Sequence, residues 1–180
     1  EHERIRHLYG CADEESLNYS AKTKTPMLLA VGRLVARKGY MTLLRAMPAI
    51  LQENPNAKLV IVGRGHMKSS LEKNAKKLGI SDSIHIQSSL SFEELAQHFR
   101  SADLVVYPSY YEGQGLIPLE SLASGTPVAT VNQEPLTEMV DDSVGGLFKR
   151  GEPEDLARCV NEMLASEETA KKAILGRERV

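Results

Sequence analysis

A doubly wound α/β domain, a parallel sheet with helices on both faces, is the fold class that this chain predicts. Three observations predict it. Apolar runs of strand length recur at Met27–Val31, Lys58–Val62, 83–86, Leu104–Tyr107 and 127–131. The segments between them carry apolar residues at helical spacing. The alternation is sustained, and strand, loop, helix, strand is the repeating unit of an open parallel sheet.

The elements follow in order. Residues 1–25 are polar, with only Ile5 and Leu8 as apolar punctuation, and read as a lead-in or interdomain segment. The first strand ends in Gly32 and Arg33. Tyr40, Leu43, Leu44, Met47, Ile50 and Leu51 then recur at helical spacing, with Pro48 expected to kink or shorten that helix. The second strand is closed by Gly63 and Gly65, and Leu71, Ala75 and Leu78 mark a helix stopped by Gly79. After the short strand at 83–86, Ser91 and Glu94 have the spacing of a capping box, opening a helix through Leu95 and Phe99 to Ala102.

The strand at Leu104–Tyr107 leads through a glycine-bearing loop into a helix. There Leu116, Leu119 and Ala123 fall on one arc, flanked by Ile117 and Leu122, and Glu120 falls inside it. Pro118 is compatible with a first turn. A strand at 127–131, a short helix at 136–140, a turn and strand at 145–149 and a helix at Pro153–Ala165 complete the domain, which is expected to span 26–166. Residues 167–180 are charged and helix-prone, as if cut off mid-element.

Composition narrows the function classes. With 180 residues, 42% hydrophobic and 26% charged, the chain suits one globular domain with a sizeable core. A net charge of −2 gives no footprint for nucleic acid. Cys11 and Cys159 lie far apart without a CxxC pattern, suggesting neither a disulfide framework nor a metal site, and a reducing compartment is the default. His2, His7, His66, His85 and His98 show no metal-ligand spacing. No signal peptide or membrane-length apolar run is present, and the first residue, Glu1, suggests a piece of a longer protein.

Three groups of residues can carry chemistry. Gly32, Arg33, Lys38 and Gly39 sit at the first strand-to-helix connection, where two cations beside a helix N-terminus can seat a phosphate or diphosphate; the alternative is a pair of solvated charges. Gly63-Arg64-Gly65 begins like a GxGxxG fingerprint, but Lys68 stands at the third glycine position and the motif follows the wrong strand for a nicotinamide site. These glycines permit a tight turn or a close approach to the backbone. The third group is the loop and helix holding Glu112 and Glu120, seven residues apart. A carboxylate on a buried stripe is costly unless it is hydrogen-bonded, so Glu120 either reaches solvent at the stripe's edge or accepts hydrogen bonds from ligand hydroxyls. Backbone amides around Gly113 to Leu116 could face the same ligand's anionic centre. A glycosidase-type carboxylate pair competes, but leaves the basic pair and the amides without a use.

Four stretches, in order, carry a resemblance: VGRLVARKG at 31–39, LVIVGRG at 59–65, PSYYEGQGLIPLESLASGTPVA at 108–129 and TEMVDDSVGGLF at 137–148. The chain resembles the C-terminal, nucleotide-sugar-binding half of a GT-B fold glycosyltransferase of family 4, the glycosyltransferase group 1 family, with a Rossmann-like sheet. The EX7E pair is Glu112 and Glu120.

The resemblance implies roles. Arg33 and Lys38 would hold the donor diphosphate, Glu120 the ribose hydroxyls and Glu112 the hydroxyls of the transferred sugar. The amides of Gln114, Gly115 and Leu116 would bind sugar or phosphate oxygens, with Gly32, Gly63, Gly65, Gln87 and Gly113 lining the donor. It also implies retention of anomeric configuration, a donor of UDP or GDP type, and neither cofactor nor metal. The acceptor would be a saccharide or lipid-linked molecule held by an N-terminal domain outside this chain. The usual setting is cytoplasmic, with the full-length enzyme peripheral to the inner membrane face. Three departures bear on base and sugar: Gln114 replaces a usual aromatic, Glu134 and Pro135 stand where a Gly-Gly pair is common, and Gln87-Ser88-Ser89 lacks a glycine. A non-catalytic nucleotide-sugar-binding module, or a GT-B fold epimerase or phosphorylase, is the alternative. The module would have lost Glu112, and a phosphorylase needs a pyridoxal-phosphate lysine that no motif marks.

Overall fold

The structure is a computed structural model that describes residues 25–180. The expected lead-in, apart from Thr25, lies outside the described residues, as does Cys11.

The strands are β1 (Met27–Val31), β2 (Lys58–Val62), β3 (Ile84–Gln87), β4 (Leu104–Tyr107), β5 (Val128–Val131) and β6 (Gly145–Phe148). The longer helices are α1 (Tyr40–Glu53), α2 (Lys68–Lys77), α3 (Phe92–Ser101), α4 (Leu116–Ala123), α5 (Leu136–Met139), α6 (Pro153–Ala165) and α7 (Glu168–Arg179). All strand pairs are parallel, in the order β3-β2-β1-β4-β5-β6. A parallel sheet needs crossover helices, and right-handed crossovers put the helices of the two halves on opposite faces. In agreement, α1 packs on α2 and α6, while α4 packs on α5 and α7. Both faces being covered, β4 and β5 are buried along their whole length, which is why they read as continuous apolar runs.

The strand order reverses between β1 and β4, where Leu28 pairs with Leu104 and Leu29 with Val105. Loops leaving the carboxyl ends of these two strands turn to opposite faces and leave a crevice between them, the usual ligand site of an open α/β sheet.

Most elements match their expected positions. β1, β2, β4 and α6 fall where the sequence puts them, β3 lies one residue later at each end, and β5 begins one residue later. The capping box forms, with Ser91 N–H donating to Glu94 Oε2 at 2.7 Å and Glu94 N–H donating to Ser91 Oγ at 3.3 Å.

Three expectations need correction. Pro48 does not shorten α1, which continues to Glu53. An interior proline costs about 3 kcal/mol. Full burial of Leu43, Leu44, Met47 and Ile50 on the same helix contributes about 1.5–3 kcal/mol each and outweighs it. Leu78 is exposed at the end of α2, whose buried face is Leu71 and Ala75. In α4 the buried residues are Pro118, Ser121, Leu122 and Ala123, whereas Leu116 is exposed and Glu120 half-buried. The arc through Leu116 and Glu120 is thus the open edge of the helix. Ser121 tolerates burial because its hydroxyl donates to the Thr126 carbonyl at 2.8 Å.

Candidate functional site

The site is built where the loop after β1 meets the loop after β4. The first loop makes a single 3₁₀ turn, Ala36–Lys38, and then passes through Gly39 into α1. Gly39 has φ of 68°, and a Cβ there would lie 1.9 Å from the Pro108 carbonyl oxygen. No other residue allows the two loops to come this close. Tyr110 N–H donates to the Arg37 carbonyl at 2.8 Å and seals the contact.

The close approach sets Lys38 against Glu112. The Lys38 ammonium donates to the Tyr107 hydroxyl at 2.9 Å and to Oε1 of Glu112, and the Ser109 hydroxyl donates to that same carboxylate oxygen. The Lys38 and Glu112 side chains are only 11% and 13% exposed, so each is a partly desolvated charge that depends on the other. Burial pushes the Glu112 carboxyl up, but hydrogen bonds from Lys38, Ser109 and Tyr107, together with the Lys38 charge, outweigh it and hold the carboxyl below its usual range. Burial, and then the neighbouring Glu112, raise the Tyr107 phenol well above its ordinary value, so it stays protonated.

The other candidates take different places. Arg33 is exposed on the same loop, and its guanidinium has no hydrogen bond or ion pair among the described residues. Gly113 and Gln114 are exposed on the second loop, and the N–H groups of residues 113–115 make no backbone hydrogen bond among the described residues. Gly115 has φ of 60°, and a Cβ there would meet Met139 Cε at 2.5 Å and Leu136 Cδ2 at 2.9 Å, so α4 starts tightly against α5. Glu120 sits half-buried in the second turn of α4, on the side of exposed Leu116. Gln87 ends β3, its carbonyl accepting from Gly63 N–H at 2.9 Å.

Gly63 and Gly65 have a packing role that the sequence does not show. A Cβ on Gly63 would lie 1.9 Å from the Gly32 oxygen, and one on Gly65 would lie 2.2 Å from the Leu34 oxygen. Their smallness lets the loop after β2 press backbone to backbone on the loop after β1. Gly32 N–H donates to the Val62 carbonyl at 3.0 Å and Leu34 N–H to the Arg64 carbonyl at 2.8 Å. The second loop buttresses the segment that carries Arg33 and Lys38.

Sequence reasoning missed several residues of this neighbourhood. Tyr107 lies in a run that reads as an apolar strand, and Ser109 in a segment that reads as loop. Arg150, after β6, lies 4.6 Å from the Tyr111 ring centroid and 5.2 Å from that of Tyr110, donates to the Tyr111 hydroxyl at 3.0 Å, and holds Gln133 at 3.4 Å. Gln133 in turn donates to the Tyr110 carbonyl at 3.1 Å, and Tyr110 shares a hydrogen bond with Thr42. The Tyr-Tyr pair preceding Glu112 was the available signal; its partner after β6 depends on strand order.

A cavity of about 460 Å³ lies elsewhere, between β6, α6 and α7, lined by Asn132, Cys159, Met163, Thr169 and Lys172 among others. No candidate residue lines it. Of its charged groups, Arg158 pairs with Asp155 and Glu162, and Lys172 donates to the Gly145 carbonyl at 2.9 Å. Burial pushes the Cys159 thiol up to about 12. The switch-point crevice, and not this cavity, brings together the residues with ligand-binding chemistry. Among the described residues no group of three or more His, Cys, Asp or Glu gathers as metal ligands, and no helix is long and apolar enough to cross a membrane.

A six-stranded parallel sheet of this order defines a Rossmann-like domain, and it matches the domains of GT-B glycosyltransferases. The chain belongs to the glycosyl transferases group 1 family, whose model matches residues 13–176. It is 38% identical over 139 residues to an uncharacterized glycosyltransferase of Methanocaldococcus jannaschii, a match covering 75% of this chain and 35% of that protein. It is 34% identical over 153 residues to a GDP-mannose-dependent alpha-(1-6)-phosphatidylinositol monomannoside mannosyltransferase of Mycobacterium tuberculosis, covering 81% of this chain and 40% of the relative. Among solved structures, sucrose-phosphate synthase from Thermosynechococcus elongatus superposes with a TM-score of 0.81 at 31% identity, over 97% of this chain and 45% of the other. The chain thus spans 35–45% of the length of these relatives.

Proposed function

We propose that this chain is the donor-binding part of a retaining glycosyltransferase that uses a nucleoside diphosphate sugar without a metal ion. The observation that carries the reading is the meeting of Lys38 and Glu112 across the switch point. It supports one ligand lying in the crevice, with an anionic group toward Lys38 and hydroxyls toward Glu112. Lys38 and exposed Arg33 would neutralise the diphosphate and the negative charge that grows on it as the glycosidic bond breaks, which is the electrostatic work a metal does elsewhere. Glu112 would accept hydrogen bonds from the sugar and Glu120 from the ribose. The amides of Gly113, Gln114, Gly115 and Leu116 would face sugar or phosphate oxygens, with Gly32 and Gln87 at the margins. The GDP-mannose dependence in the name of the mycobacterial relative supports a nucleotide-sugar donor. The acceptor, a saccharide or a lipid-linked molecule, would bind a domain outside these residues, and a cytoplasmic, membrane-peripheral setting fits such acceptors.

Calorimetric titration of the chain with UDP, GDP, ADP and their sugar conjugates tests the reading. Binding of one nucleotide, weakened at least tenfold by Arg33→Ala, Lys38→Ala or Glu120→Ala, is the expected result. Sugar transfer by the isolated chain would contradict the assignment of the acceptor site to another domain.

A further inference from the structure

Tyr40 is a polar group without an evident use. Its side chain is 2% exposed, and its hydroxyl is the buried side-chain atom without a hydrogen-bond partner among the described residues. Buried hydroxyls are almost always satisfied, so an exception at the edge of a ligand crevice calls for a reason. Tyr40 opens α1 directly after Gly39. A Cβ on Gly32 would lie 3.1 Å from the Tyr40 hydroxyl and 3.8 Å from Lys38 Cε, so the phenol reaches in beside Gly32 near the lysine stem. Burial and then the charge of Glu112 raise the Tyr40 phenol, so the carboxylate acts on it as well.

Glu112 has donors to lose. Lys38 and Ser109 both donate to Oε1, and Tyr107 also hydrogen-bonds the carboxylate, but only Lys38 brings a positive charge. An anionic ligand in the crevice competes with Glu112 for the Lys38 ammonium. If that ammonium turns away, a mostly buried carboxylate loses its counter-charge, and breaking a buried pair in this way is costly unless another donor takes over. Tyr40 is the unsatisfied donor at that spot.

We propose that the Tyr40 hydroxyl is a positioning donor held in reserve for Glu112, taking up its carboxylate when Lys38 turns to an anionic ligand. This rests on the reading of the crevice as a nucleotide-sugar site, but it has a test that needs no ligand. Replacing Lys38 by Met keeps the aliphatic stem and removes the ammonium permanently; Lys38→Gln is the second variant should the first fail to fold. Thermal denaturation at neutral pH then compares wild type, Tyr40→Phe, Lys38→Met and the double variant. Tyr40→Phe alone should leave the melting temperature within about a degree, because its hydroxyl has no partner to lose. In the Lys38→Met background the same change should lower melting by about 2–4 °C, the size expected for one hydrogen bond in a chain of this length. Equal loss in both backgrounds, or no loss in either, overturns the proposal.

Calorimetry with UDP, GDP and ADP adds the ligand arm. Tyr40→Phe should weaken the bound nucleotide about five- to tenfold, and should have no further effect in a Glu112→Gln background. An undiminished effect in that background means the hydroxyl meets the ligand itself and overturns the role assigned to it. A chain that binds no nucleotide yet shows the thermal coupling retains the Tyr40 role and loses the donor-site reading.

Discussion

Two clusters of opposite charge in this domain are built on different plans. On α6, Arg158 pairs with Asp155 three residues before it and Glu162 four residues after it, at 2.8 and 2.7 Å, with the arginine 53% exposed. At the switch point, Lys38 pairs with Glu112 from a loop 74 residues away, and both side chains are nearly buried. The first follows from helical spacing, exists in any helix of that sequence, and is worth little in high dielectric. The second exists only once β1 and β4 lie side by side, and it holds charge out of water. Local pairs decorate a fold; the long-range pair depends on one.

The largest effect on that contrast should come from Gly39→Ala. A left-handed backbone costs an alanine about 1–2 kcal/mol, and the Cβ must also push away the Pro108 carbonyl 1.9 Å from its ideal place. A total of about 3 kcal/mol lowers the melting temperature by about 6–12 °C in a chain this size. An unchanged melting temperature would show that the two loops do not touch.

Next comes Lys38→Ala, which strands Glu112. It should cost about 1–3 kcal/mol in urea denaturation, with part of the loss recovered by Glu112→Gln in the same chain. Additive costs would mean that the two side chains are not coupled.

The pH dependence is a finer test. The Glu112 carboxyl is held below its usual range, so its contribution to stability is complete above the unfolded carboxylate pKa of about 4.3 and is lost as pH falls through the lower folded value. Glu112→Gln should therefore flatten part of the decline in melting temperature below about pH 4, measured by calorimetry against wild type. An identical acid limb would remove Glu112 from the charge balance.

The smallest effect belongs to Arg158→Ala, expected to cost under about 1 kcal/mol because the arginine itself is half exposed and both partners are local. A larger loss would erase the distinction between the two clusters.

What could be read in the sequence follows the same division. β1, β2 and β4 were legible because strands buried on both faces leave unbroken apolar runs. The Ser91–Glu94 capping box was legible because its partners are three residues apart. Glu112, Glu120, Arg33 and Lys38 stood out through their setting in a family motif. The outward turn of Leu116 was not legible, since Leu122 and Pro118 compete for the same helix's buried face and only the packed neighbours decide. The local penalty of Pro48 is visible in the chain, whereas the burial that outweighs it is not. Tyr107, Ser109 and Arg150 could not be placed without strand order: their partners come from elements distant in sequence.

The parallel pairing of Leu28 with Leu104 and Leu29 with Val105 has a consequence for how such a domain can diversify. Adjacent strands stand about 4.8 Å apart, a spacing set by main-chain hydrogen bonds and indifferent to loop sequence. The sheet acts as a ruler laid under the crevice, fixing the roots of both loops. Residues at their tips, such as Gln114 and Tyr111, can be exchanged for others without altering the separation of the loop roots beneath Lys38 and Glu112. New specificities can then accumulate on an unmoved baseline.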